Sequence, residues 1–409
     1  MSIRWEEVRL GDIGEFLKTY SNSRADLQEN DEIFYIHYGD IHTTYDYFLD
    51  FATYNPPMIN SSKLKSNDLV LLQDGDLVIA DASEDYEGIA KSAEVINIGQ
   101  KRAVAGLHTF LFRADDKYLA KKFRAYFLCS DFVRQQFKKI ATGISVLGIS
   151  KTNIQNIKIK LPPLKEQEKI AEILSSCDEH IKNLKNLKSE LEKEKLHLMN
   201  ELLSGKTRFS SFTTPWQEVT LGEIGKFYRG LSYKRDNVTD DGLLVLRSNN
   251  IQNNRIEYND LQFVNIDCKD ELSLRNGDIV ICMANGSKNL VGKSAEFIDN
   301  GSYTKTTVGA FCSIYRTECK IAKYLFQSRK YKEELKILFE GTNINNLKNS
   351  DLENLSFLLP SLEEQKKIGE VLSACDERLE CLNELITAQT TLKSHLLTEL
   401  LTGNLRVNI

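Results

Sequence analysis

The sequence predicts an α+β fold with an internal pseudo-twofold repeat: two β-rich mixed domains separated by two long antiparallel coiled-coil helices. Three observations predict it. The stretch LPPLKEQEKIAEILSSCDEHI, from Leu161 to Ile181, is nearly repeated as LPSLEEQKKIGEVLSACDERL, from Leu359 to Leu379. Each copy leads into apolar residues that return at alternating four- and three-residue steps, the spacing of a coiled-coil seam. Ahead of each helix lie short β-rich strings punctuated by Gly, Asn and Asp. The segment boundaries fall at 1–160, 161–206, 207–358 and 359–409.

The first and third segments are copies of one domain. WEEVRLGDIGEF (Trp5 to Phe16) recurs as WQEVTLGEIGKF (Trp216 to Phe227), and GDLVIA from Gly75 recurs as GDIVIC from Gly277. KSAE at Lys91 returns at Lys293, and NELLSG from Asn200 is answered by TELLTG from Thr398. A period near 200 residues is far longer than solenoid repeats, so it marks duplication of a whole domain-plus-helix unit. DLVLL, DLVIA, LLVLR and DIVICM are expected strands. YLAKKFRAYFLCSDFVRQQFKK and IAKYLFQSRKYKEELKILF are expected helical stretches.

The second and fourth segments are expected helices of about 38 residues, roughly 57 Å long. The first seam is Ile170, Leu174, Cys177, Ile181, Leu184, Leu191, Leu198 and Leu202, with Lys188 and Lys195 at skipped positions. The second is Ile368, Leu372, Cys375, Leu379, Leu382, Ile386, Leu396 and Leu400, interrupted by Gln389 and Lys393. Pro162, Pro163 and Pro360 set the starts; Gly205 and Gly403 stand where a C-terminal stop belongs. Exposing such stripes is costly, so the helices are expected to pair; packing of each on its own domain is the alternative. A duplicated binder of this kind suits a target with two sites at fixed spacing, as duplex DNA offers.

Composition narrows the function classes. The 409 residues are 41% apolar and 27% charged, as in a folded globular chain. No apolar run reaches the roughly 18–20 residues of a membrane span, and MSIRWEEVRLGD holds no apolar secretory core. The eight cysteines show no CxxC spacing and read as buried, reduced thiols of a cytoplasmic protein. Net charge is −5, so any phosphate-binding footprint must be a local patch.

Three fragments imitate catalytic motifs. GSKNLVGKS (Gly286 to Ser294) has five residues, not four, before its Gly-Lys-Ser and lies between expected strands, so it reads as a hairpin. NPPM (Asn55 to Met58) has methionine where an amino-methyltransferase loop has an aromatic, and no Gly-rich cofactor turn precedes it; it reads as a loop. His37 and His42 in YIHYGDIH lack a third metal ligand, and His108, His180, His197 and His395 lack nucleophile partners. No enzymatic activity, cofactor or metal is expected of this chain.

The doubled LPPLKEQEKIAEIL…DEHI…ELLSGK and LPSLEEQKKIGEVL…DERL…ELLTGN, with WEEVRLGDIG and WQEVTLGEIG opening the domains, resemble the specificity subunit of type I restriction–modification systems. The resemblance covers essentially the whole chain. RNGDIVI, GSKNLVGKSAEF and EGTNINNLKNSDL fit it in the second domain; the first departs, with GISVLGISKTNI (Gly143 to Ile154) in place of GTNINNLKNSDL. It implies two target-recognition domains, each reading half of a bipartite double-stranded DNA site, with the helices setting the gap. It also implies two modification subunits that carry S-adenosylmethionine and methylate adenine, and two ATP-dependent translocating restriction subunits.

Arg reads guanine and Asn or Gln reads adenine by bidentate hydrogen bonds, which selects the base-reading candidates. In the first domain they are Lys18, Asn22, Arg24, His37 and His42. In the second they are Arg229, Lys234, Arg235, Arg247, Asn249, Asn250 and Gln252, with YIHYGDIH matched to VLRSNNIQ. Glu166, Gln167, Glu364 and Gln365, expected as exposed helix positions, are candidates for partner docking, with helix N-terminal stabilisation as their alternative. Two other readings remain at this level: a stand-alone adenine methyltransferase, which the missing Gly-rich loop opposes, and a coiled-coil adaptor with two protein-binding domains.

Overall fold

The computed structural model describes residues 5–65, 68–340 and 345–407. Two compact units emerge: residues up to Lys185 together with those from Glu384 onward, and Asn186–Asn383. The division falls inside both long helices, so it cuts across the four sequence segments. Each unit holds one β-rich domain, the beginning of the helix that follows it and the end of the other helix.

In the first unit, a five-stranded sheet runs in the order Gly14–Leu17, Thr109–Ala114, Leu77–Ala80, Ser92–Ile96, Phe48–Asp50. The last pair is parallel and the others antiparallel. A three-stranded sheet joins Met58–Ile59, Ile33–Ile36 and Ala103–Ala105. The second unit repeats this plan. Gly225–Arg229, Cys312–Thr317, Ile279–Cys282 and Ser294–Glu296 form one sheet; Leu243–Leu246 pairs in parallel with Thr306–Val308 in another. GSKNLVGKS connects the antiparallel pair Ile279–Cys282 and Ser294–Glu296, as a hairpin should.

The repeated Gly-Asp has a physical reason. Gly75 and Gly277 turn with φ of 96° and 89°, a backbone that favours glycine. The following Asp76 and Asp278 are buried, and Arg113 and Arg316 clamp them through two parallel hydrogen bonds of 2.6–2.8 Å. The repeated opening also pays off structurally: Glu6–Arg9 pairs with Lys158–Leu161, and Gln217–Thr220 with Ser356–Leu359. The start of each domain thereby lies against the strand that leads into its long helix.

Two expectations change. Among the described residues DLVLL joins no sheet, because its backbone is claimed otherwise. The Val70 amide donates to the Tyr20 hydroxyl, Arg113 donates to the Leu71 carbonyl, and the Leu72 amide reaches a neighbouring strand at Ala103. The expected single helical stretches each break in two, at Ser130 (Phe123–Leu128, Asp131–Ile140) and Ser328 (Ala322–Leu325, Arg329–Phe339). Ser328 caps the new start by accepting from the Tyr331 amide.

The long helices span Leu164–Leu203 and Leu362–Thr402. Gly205 and Gly403 follow with φ of 71° and 77°, the left-handed stop. Within the first unit Ile170, Ala171 and Leu174 of one helix share a core with Leu400 and Leu401 of the other; within the second, Ile368 and Leu372 share one with Met199 and Leu202. The helix segments therefore run antiparallel in each unit. The skipped lysines are used: Lys393 pairs with Asp178 and Lys195 with Asp376. Those carboxylates also accept from the hydroxyls of Tyr126 (2.6 Å) and Tyr324 (2.8 Å), tying both helices to the domain. All eight cysteines are free, but only Cys282 and Cys312 are buried as expected; Cys129, Cys177, Cys268, Cys319 and Cys375 are half-buried and Cys381 is exposed. Among the described residues, no helix is long and apolar enough to cross a membrane.

Candidate nucleic-acid interface

In each unit, strand ends and their loops meet in one polar rim. In the first, the Tyr20 amide donates to the Ala105 carbonyl and the Gly106 amide to Ile36, which draws together the loops after Leu17, Ile36 and Ala105. In the second, the Leu231 amide donates to Val308 and the Gly309 amide to Leu246, an equivalent pattern. These bonds place Ile36 opposite Leu246 in the repeat. His37 then corresponds to Arg247, Tyr38 to Ser248, Gly39 to Asn249 and Asp40 to Asn250, the match expected of YIHYGDIH and VLRSNNIQ.

The first rim is aromatic and histidine-rich. His37 caps the short helix Tyr38–Thr43, its Nδ1 accepting from the Gly39 amide at 3.1 Å. Burial, aided by the Arg24 guanidinium, pulls its imidazole below the ordinary value, consistent with an acceptor nitrogen. It is thus occupied as a cap rather than presented for base contact, and the expectation for it is corrected. The Tyr38 ring meets His37 at a tilt, with centroids 4.6 Å apart, and meets His42 and His108 edge-on at 5.6 and 5.4 Å. His42 Nε2 lies 3.0 Å from the Ala82 carbonyl. Exposed Arg24 donates to Asp40 at 2.6 Å, Asn22 donates to the Lys63 carbonyl, and exposed Lys18 lies over the Tyr20 ring. A cleft of about 870 Å³ opens beside Tyr38 and His42, lined also by Glu84, Asp85, Glu87 and Arg134.

The second rim is built from arginine and asparagine. Arg229 ends its strand exposed. Arg247 donates to Asp260 at 2.9 Å, and Asn249 donates to the same carboxylate oxygen at 2.8 Å. Exposed Gln252 donates to the Asn249 carbonyl. Lys234 and Arg235 are exposed on the neighbouring turn. Asn250 does not fit the expectation. It is fully buried, donates to the Glu257 and Asn259 carbonyls and accepts from the Arg247 amide, so it shapes the turn instead of facing a partner.

Sequence reasoning missed three rim positions. Asn285 donates to the Ser248 hydroxyl at 3.2 Å, and Asn345 donates to the Gly286 carbonyl at 3.1 Å. Phe311, 70% exposed, sits at this rim through bonds from the Met283 and Ala284 amides to its carbonyl. His108 holds the equivalent place in the first unit, its carbonyl accepting from the Asp81 amide. Asn285 follows a strand in a turn-forming ANGS string, a signal that could have found it; nothing local marks Phe311.

Glu166, Gln167, Glu364 and Gln365 are not exposed, which corrects the docking expectation. Glu166 and Glu364 are wholly buried, held by Arg406 (2.6 and 2.7 Å) and Arg208 (3.0 and 2.7 Å). Gln167 accepts from the Ala120 amide and donates to Pro162 and Tyr118 carbonyls, and Gln365 donates to Pro360. These bonds lie inside each unit, where the helix start meets the domain, and the buried Gln365 Oε1 alone of the four side chains' groups keeps no partner among the described residues.

Two copies of one domain, each clasped by helix ends and each carrying a polar loop rim of different side chains, define a duplicated recognition protein. The sequence profile of the type I restriction modification DNA specificity domain matches residues 3–193 and again 213–389. The chain belongs to that family, as a specificity subunit and not a catalytic one. It is similar to the type I restriction enzyme MjaVIII specificity subunit of Methanocaldococcus jannaschii, with 28% identity covering 98% of this chain and 93% of that protein. The EcoKI specificity subunit of Escherichia coli K12 is 34% identical across 38% of this chain and 35% of its own. The fold is shared with the S subunit of the M. genitalium type I system, at TM-score 0.55, 15% identity and coverage of 98% and 96%. A chain from a structure of type I complex assembly gives TM-score 0.57 at 18% identity, covering 98% of each chain.

Proposed function

We propose that each unit reads one half of a bipartite duplex DNA site and that the two long helices set the unspecified gap between the halves. The chain then directs adenine methylation or restriction, in the cytoplasm, by two modification subunits that carry S-adenosylmethionine and two ATP-dependent restriction subunits. One observation supports this above the rest. Equivalent backbone bonds build the two rims, while the side chains on them differ: Tyr38 against Ser248, Gly39 against Asn249, His42 against Gln252, and His108 against Phe311. A common frame with divergent side chains is what two different half-sites require, since bases are read by side-chain donors, acceptors and apolar contacts. The contacts proposed are Lys18, Asn22, Arg24 and His42 in one rim and Arg229, Lys234, Arg235, Arg247, Asn249 and Gln252 in the other.

A genome-wide map of methylated adenine in cells expressing this chain with its modification subunit tests the reading. A gapped two-part motif is the expected result. Methylation without any motif, or none from a soluble assembled complex, contradicts it and favours an adaptor role.

A further inference from the structure

We propose that Lys288, Lys332 and Lys336 of the second unit form a contact for DNA phosphate that the first unit lacks. This rests on the DNA reading above and goes beyond it, assigning the sequence-independent part of affinity unequally to the two domains.

The three lysines line one cleft of about 460 Å³, with Asn289 and Phe339 between them. Lys332 and Lys336 are four residues apart on the exposed face of the helix Arg329–Phe339, so their side chains are neighbours. Among the described residues neither has an acidic side chain within ion-pairing distance, which leaves two ammonium groups facing solvent together. Lys288 is exposed on the adjoining hairpin, anchored through a 2.7 Å bond to the Phe339 carbonyl. Among the described residues, Glu340 is the one acidic residue lining the cleft.

The repeat provides an internal comparison. Arg134 and Lys138 hold the equivalent places on the helix Asp131–Ile140, counted from the matching serines Ser130 and Ser328. There the neighbouring loop reads SEDYEG instead of NGSKNL. Glu87 occupies the position of Asn289, and its carboxylate pairs with Lys138 while its carbonyl accepts from Arg134. The same two cations are thus spent in the first unit and available in the second.

Continuity with the rim argues for DNA over a free anion. Lys288 is three residues from Asn285, in the loop whose Asn285 and Gly286 bond to Ser248 and Asn345. A backbone phosphate beside a base contact is the usual partner of such lysines.

The test is the salt dependence of binding to random-sequence duplex DNA, using the full chain complexed with its modification subunit. Each phosphate contact contributes about 0.9 to the slope of log affinity against log salt. The triple variant K288Q/K332Q/K336Q should lose about 2.7 from the slope, or about 40-fold less affinity lost over a fourfold rise in salt. K332Q/K336Q, which disturbs no side-chain partner among the described residues, should lose about 1.8, and Glu87→Gln should steepen the slope by freeing Lys138 from its carboxylate partner. An unchanged slope in both lysine variants overturns this assignment alone. Absence of duplex binding by the parent complex overturns the DNA reading and this with it. If inorganic phosphate competes better than chloride at equal ionic strength, and only with the lysines present, the cleft is a free-phosphate site and the proposal fails.

Discussion

Arg406, three residues beyond Gly403, closes a two-bond ion pair on Glu166 in the first turn of the other long helix, and Arg208 does the same to Glu364 three residues beyond Gly205. Trp5 and Trp216 complete the two joints. A Cβ on Gly403 or Gly205 would lie 3.2 or 3.4 Å from the respective indole. In the first unit this joins the two ends of the described chain. Because Glu166 is wholly buried, removing its partner strands a carboxylate without compensation. Arg406→Ala should therefore destabilise the first unit by about 2–3 kcal/mol, seen as a lower unfolding midpoint. The pair Arg406→Met with Glu166→Met should recover part of that loss.

A second prediction concerns Arg316. Its guanidinium holds Asp278, which is 2% exposed, and also donates to the Ser273 carbonyl. Arg316→Ala should cost about 3–5 kcal/mol in the second unit, measured by denaturant unfolding. Lysine cannot reproduce the fork, so Arg316→Lys should rescue little.

Stability should also depend on pH through Glu94. Burial pushes its carboxyl from an ordinary 4.5 up to about 7, although the Lys122 and Ala125 amides donate to it. Between those values the folded chain holds a proton that the unfolded chain has released. Stability from this group therefore falls as pH rises from about 4.5 to 7, by an uptake of about one proton. In Glu94→Gln that slope should vanish from the first unit's unfolding midpoint. Glu296, the counterpart, is instead paired with Lys323 at 2.9 Å.

Neighbouring asparagines should behave oppositely. Asn250→Ala removes three internal hydrogen bonds from a buried amide and should lower stability by about 2 kcal/mol. Asn249→Ala, at an exposed position, should leave the unfolding midpoint within about 0.5 kcal/mol while changing which second half-site is methylated. A methylation map paired with thermal unfolding separates the two effects.

Duplication made most of the architecture legible. Both long helices, their proline starts and glycine stops, and the hairpin at Gly286 to Ser294 follow from local patterns that the fold obeys. Burial of Glu166 and Gln167 was hidden because their partners, Arg406 and Ala120, are remote in sequence; a charged residue in a first helical turn looks exposed until its long-range partner is known. DLVLL looked like a strand since side-chain pattern does not reveal that Tyr20 and Arg113 take its backbone groups. Of the rim, the matched loops at His37 and Arg247 were legible through the repeat. Their uses were not, because a cap, a buried turn amide and an exposed loop side chain draw on the same residue types.

If each unit reads its own half-site, exchanging one domain should exchange one half of the recognised sequence. The most direct test is the adenine-methylation map of cells in which residues 216–358 are replaced by the corresponding domain of another type I system. The expected result is a two-part motif in which one half changes and the other, with the gap length, is kept. A motif that changes in both halves, or in neither, would contradict it.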